Sequence, residues 1–180
     1  MITKPKIIVA VILLALSGFF VWFVSAEHAE RRRMIAERIT MRYGVILVGI
    51  DSGYTPPDFT TTIGSEIAAR LGMRPAFITA PQGTIFVGLE TLQFDIAISS
   101  AEITPELRAS YNFSKPYMAF PPYSAGTEPG LLSIGFKKGN NRLTEAVNRV
   151  LDDMFNDGTM LRLSMDFFGM DIVTQARQAW

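Results

Sequence analysis

Residues 45–53 read VILVGIDSG, an uncharged run closed by an acid, a serine and a glycine. A run without polar alternation marks a strand buried on both faces, as in parallel sheets, and DSG marks the loop after it. Downstream, Thr62 is placed to cap a helix from Ile63 to Leu71 that Gly72 closes. Pro75–Thr79 reads as a second strand, Thr84–Leu92 as a short helix and Asp95–Ser99 as a third strand. Thr104-Pro105-Glu106 opens a helical turn, with proline where a helix start tolerates it. Strand, helix, strand, helix, strand predicts a parallel α/β sheet with right-handed crossovers. A Pro/Gly-rich connection, Phe120–Gly130, then leads to a strand at Leu131–Phe136 and helices at Asn141–Phe155 and Thr159–Phe168. The expectation is one three-layer α/β domain from about Tyr43 to Met170, as 180 residues allow.

Composition removes several chemistries. Lys+Arg 17 against Asp+Glu 17 leaves no basic footprint for nucleic acid. Without cysteine there is no disulfide, thiolate nucleophile or iron–sulfur ligation, and His28 alone makes no histidine triad. Ser99-Ser100 has no histidine or lysine base at motif spacing. Asp152, Asp153, Asp157 and Asp166 lack the spacing of a calcium loop, so neither metal nor cofactor is expected.

The apolar surplus sits at the front. Ile7–Ala26 is free of charge, and as a helix it would rise about 30 Å, the thickness of a bilayer's hydrocarbon core. Retained anchor and cleaved signal both fit it: Lys4, Lys6 and the Val24-Ser25-Ala26 end suit a signal, while the length and Trp22–Phe23 suit an anchor. Glu27–Arg42 reads as a charged helical stalk. The organisation expected is an anchor or signal over 1–26, a stalk over 27–43 and a lobe over 44–180. Removing residues 1–26 takes away two lysines and no acid, leaving a mildly acidic body.

Further pieces carry a resemblance. They are VGID at 48–51 with YTPP at 54–57, IAARLG at 67–72, FDIAISS at 94–100, ITPE at 103–106, and NFSKPY at 112–117. The tail adds GFKKGN at 135–140, AVN at 146–148, DGT at 157–159 and FFG at 167–169. In this order, over about 125 residues, they resemble the family 3 (polar amino-acid type) extracellular solute-binding proteins. The resemblance implies a periplasmic-binding-protein-like (type II) lobe outside the cytoplasm. That location overrides Arg31, Arg32, Arg33, Arg38 and Arg42 behind the apolar run, which the positive-inside rule alone would keep in the cytoplasm.

Departures from the family pattern are equally informative. Family members trap solute between two lobes joined by two crossing strands. Here only a dozen residues separate Met118 from Leu131, too few for a second domain. A single lobe is therefore expected. The family's carboxylate-gripping arginine position holds Leu107, with Arg108 one residue late and turned by about 100° on a helix. The small or hydroxyl ligand residue before Ile103 is replaced by Glu102. Asp51, Tyr54, Ser99 and Ser100 match family ligand-contact positions. The surface uncovered by losing a lobe would carry Tyr54, Pro56, Pro57, Tyr117, Phe120 and Tyr123, residue types common at protein interfaces.

Two functions stay open at this point. One is a non-enzymatic subunit of the bacterial inner membrane, anchored through residues 7–26. Its degenerate lobe would contact other subunits or a second copy in the periplasm. The other is a residual binder or sensor of a small amine or amino acid in an uptake system, released into the periplasm if the signal is cleaved.

Overall fold

The computed structural model describes residues 44–51, 57–120 and 130–180. The expected span at 7–26 and the stalk at 27–43 lie outside these residues. Among the described residues no helix is long and apolar enough to cross a membrane.

In chain order the elements are β1 (Val45–Asp51), α1 (Pro57–Arg70), β2 (Arg74–Ala80), a 3₁₀ turn (Gln82–Thr84), α2 (Ile85–Glu90) and β3 (Ile96–Ile98). There follow α3 (Pro105–Ser110), β4 (Tyr111–Phe113), β5 (Met118–Phe120), β6 (Gly130–Leu132) and β7 (Ile134–Lys137). Three helices close the lobe: α4 (Asn141–Asn156), α5 (Thr159–Phe168) and α6 (Thr174–Gln178).

Five strands form one sheet in the order β2-β1-β3-β7-β4, while β5 and β6 form a separate antiparallel ribbon. β1 pairs in parallel with β2 and β3. The sheet is nonetheless mixed, which corrects the all-parallel expectation, because β7 runs antiparallel to both β3 and β4. β7 follows directly on the β5–β6 ribbon, without the helical crossover a parallel neighbour requires, and the division lies at Ser133. The run 131–136 breaks there into β6 and β7, and the Ser114 hydroxyl accepts from Ile134 N–H at 2.9 Å while Ser114 N–H donates to Ile134 O. One apolar segment thus serves two sheets.

Side-chain alternation divides the core. Ile46, Val48 and Ile50 of β1, Ile96 and Ile98 of β3, and Ile134 and Phe136 of β7 face a wide cluster covered by α1, α4 and α5. Leu47 of β1 and Ala97 of β3 face a narrower cluster built on Ile85, Phe86, Leu89, Phe94 and Tyr111. β1 is therefore apolar on both sides because both sides are covered.

A second correction concerns α1, which starts at Pro57 and not beyond Thr62. Proline supplies no N–H at a position where none is needed, and Phe59, Ile63 and Ile67 make a buried stripe at spacings of four. The Thr61 and Thr62 hydroxyls donate back to Asp58 O, at 3.1 and 2.6 Å, so the polar run is absorbed into the helix. Arg70, at its end, reaches Glu66 at 2.7 Å, Asp157 at 2.7 Å and Thr159 at 3.0 Å, tying α1 to the α4–α5 junction.

Candidate functional site

The chain leaves β1 for β2 on one side and returns to β3 on the other, so the strand order reverses at β1. Ligands of open α/β sheets bind beyond the carboxyl ends of the strands at such a point. Register pairs Ile50 with Ile98, which sets Asp51 beside Ser99 at that rim, and pairs Asp51 with Ala80 on the other flank. An extra tie holds β1 to β3: Asp95 N–H donates to Leu47 O while Leu47 N–H donates to the Asp95 carboxylate, both at 2.8 Å.

At the rim, Ser99 is buried and its hydroxyl accepts from Ala101 N–H at 3.0 Å, tightening the turn out of β3. Ser100 is half-buried, and its hydroxyl accepts a long hydrogen bond, 3.4 Å, from the Gln82 amide. Gln82 opens the 3₁₀ turn after β2 and was not singled out from the sequence. Only the sheet topology, which sets the ends of β2 and β3 on either side of β1 at one rim, brings it there. Asp51, Ser99, Ser100 and Gln82 thus share one edge of the lobe.

Glu102 is exposed on the loop into α3. Thr104 caps that helix, accepting from Leu107 N–H at 3.3 Å. Its hydroxyl, helped by a backbone N–H, also holds the Glu106 carboxyl below the usual range. Leu107 is half-buried and packs against the narrow cluster of Ile85, Phe86, Leu89, Phe94 and Tyr111. Leu107, at the position where the resemblance implies a carboxylate-gripping arginine, thus has apolar neighbours.

Arg108 is exposed. Its guanidinium lies 6.0 Å from the Phe113 ring, in a groove of about 370 Å³ formed with Asn112, Lys138, Asn141 and Glu145. Lys138 is occupied there by the carbonyls of Arg108 and Tyr111, at 2.9 and 3.3 Å.

The expected aromatic surface requires one correction. Tyr117 is only 1% exposed and belongs to the wide cluster beside Met118 and Leu132. The segment Ser114–Tyr117 is drawn inward by the Ser114–Ile134 bonds and by Tyr117 N–H donating to Leu132 O at 2.9 Å. Pro57 begins α1, and the backbone of Phe120 pairs with Gly130 in the ribbon. Tyr54, Pro56 and Tyr123 lie outside the described residues. Among the described residues no group of three or more His, Cys, Asp or Glu side chains gathers as a metal site.

Residues 46–170 match the family model described as bacterial extracellular solute-binding proteins, family 3. No curated protein matches the sequence. Among solved structures, a point variant of the arginine-bound domain 1 from TmArgBP is similar, at 27% identity and TM-score 0.56, covering 67% of this chain and 98% of that one. An ancestral cationic amino acid solute-binding protein, AncCDT-1, aligns at 20% identity and TM-score 0.63 over 74% of this chain and 99% of that one. Tv2483 bound to L-arginine aligns at 13% identity and TM-score 0.65, over 77% and 96%. The last two share the fold, and the first shows that one such lobe exists as a separate solved unit.

Proposed function

Because the chain belongs to the bacterial extracellular solute-binding proteins, family 3, we propose that it acts outside the cytoplasm as a single non-enzymatic lobe held at the bacterial inner membrane. It works by contacting other protein subunits and not by enclosing an α-amino acid. The observation that carries this reading is Leu107, whose side chain packs into the narrow cluster where the family pattern places a guanidinium. A bidentate arginine–carboxylate pair makes two charge-assisted bonds worth about 1.5–3 kcal/mol each, and an aliphatic side chain supplies neither. Glu102 adds repulsion, since an exposed carboxylate at the rim opposes an incoming carboxylate. With Tyr117 buried, the docking surface is narrowed to Pro56, Pro57, Phe120 and Tyr123.

Purification of the full chain from native membranes in mild detergent, with and without Phe120→Ser plus Tyr123→Ser, tests this. The wild type should bring down defined subunits that the double variant loses while its circular dichroism is unchanged. Recovery of the same partners at the same yield by the variant would refute it.

A second reading has one observation in its favour. The domain 1 from TmArgBP is arginine-bound as a separate lobe, so a second lobe is not a condition for holding a ligand. With Asp51 and Glu102 flanking the serines, the solute favoured here is a small amine without a carboxylate. Thermal-shift titration with putrescine and with L-arginine separates the two readings. A saturable upward shift with putrescine supports the amine binder.

A further inference from the structure

The ribbon β5–β6 is two strands of three residues each, and a two-stranded sheet of that size does not hold itself together in water. It leans on the wide cluster through Met118 and Leu132, and along its free edge on the segment 170–180. One edge of β5 pairs with β6, and on the other side Ala119 N–H donates to Ile172 O at 2.7 Å. Upstream, the Trp180 indole N–H donates to Pro116 O at 2.8 Å.

Segment 170–180 is itself fastened at three places. The fully buried Ser164 hydroxyl of α5 donates to Met170 O at 2.6 Å and accepts from Ile172 N–H at 2.9 Å. Ile172, Val173 and Ala176 are buried in the lobe. The Trp180 ring stands edge-on to Phe155, 4.9 Å between centroids, with the Lys115 ammonium 4.2 Å from its face. Arg177 lies over Phe155 at 5.5 Å and donates to the Asn156 side chain at 2.6 Å. Lys115 is tied in turn to Asp152 at 3.0 Å, and its N–H to Asn148 at 2.8 Å.

We infer that residues 170–180 form a strap that fastens the β5–β6 ribbon to α4 and α5, so that strap and ribbon open together as one local unit while the five-stranded sheet stays closed. The strap holds Ala119 N–H, whose only alternative inside the lobe is to be buried without a partner. It also holds the base of the connection between β5 and β6, and this inference stands whatever that connection contacts. Units of this kind open below the free energy of global unfolding.

Native-state hydrogen exchange on the full chain tests the strap, comparing wild type with Trp180→Ala and Trp180→Phe. The alanine variant should exchange about tenfold faster at the amides of Tyr117 and Ala119, with β1 and α4 amides unchanged. Trp180→Phe, which keeps the ring against Phe155 and Lys115 but loses the bond to Pro116, should fall between. Equal acceleration of β1 and ribbon amides in both variants, or no acceleration in either, would overturn the inference. Global destabilisation of Trp180→Ala is recognised by its effect on β1, and Trp180→Phe then decides.

Discussion

The two faces of the central sheet are built differently. The wide face is covered by long helices whose apolar stripes repeat at spacings of three and four, as in Leu143, Val147, Val150, Leu151 and Met154 of α4. The narrow face is closed by six-residue α2 and a single fitted ring, Phe94, set between Gly49 and Gly88. A Cβ at Gly88 would stand 2.0 Å from that ring and one at Gly49 2.6 Å. The narrow face therefore depends on a closer fit around one ring than the wide face shows at Gly64. It is also the narrow face against which Leu107 packs.

The largest expected effect is on the narrow face. Phe94→Ala empties the slot between the two glycines and should cost about 3–5 kcal/mol in chemical denaturation. A loss below about 1 kcal/mol would show that the slot is not fitted. Next comes Gly88→Ala, which overfills the same slot and should cost about 1–3 kcal/mol.

Its counterpart on the wide face sharpens the contrast. At Gly64 a Cβ would meet the Phe77 ring at 2.8 Å, and that ring, unlike Phe94, is only partly buried. Gly64→Ala gains up to about 1 kcal/mol of helix propensity against a small repacking cost, so its net effect should lie within about 1 kcal/mol of zero. Equal losses for Gly64→Ala and Gly88→Ala would erase the distinction between the faces.

The smallest effects are on pH dependence, and they separate the faces by sign. On the wide side, hydrogen bonds from Thr159, followed by Arg70, hold Asp157 down to about 2. Asp171 is also lowered: burial opposes this, but hydrogen bonds from Thr174 and Val173 outweigh it. Both carboxylates contribute stability above about pH 4 that is lost as pH falls through their folded values. On the narrow side, burial and then the bond to Glu90 at 2.7 Å push the Tyr111 phenol up to about 12. Its contribution is full below about pH 10 and is lost as pH rises toward 12. Thermal melts across pH should show Asp157→Asn flattening only the acid limb and Tyr111→Phe only the alkaline one.

Where pattern repeats over many residues, the sequence was sufficient. β1, β2, α4 and α5 lie within a residue or two of their expected bounds, because length and periodicity carry those signals. Short elements escaped it: β4, β5 and α6 have three to five residues each, and tertiary bonds define them more than propensity does. The split of 131–136 depends on Ser114, twenty residues away from Ile134, which no local window contains. At the site, the offset between Leu107 and Arg108 was legible from spacing. The contact of Gln82 with Ser100 and the burial of Tyr117 arise only when the sheet brings distant segments together.

The central claim is the proposal that Leu107 leaves this lobe without a carboxylate clamp. Titration calorimetry of L-arginine against the wild-type chain and against Leu107→Arg combined with Glu102→Ser tests it most directly. The wild type should give no binding heat at millimolar ligand, and the double variant should bind measurably, because it returns a guanidinium to the rim and removes the opposing carboxylate. Micromolar binding of L-arginine by the wild type would contradict the account.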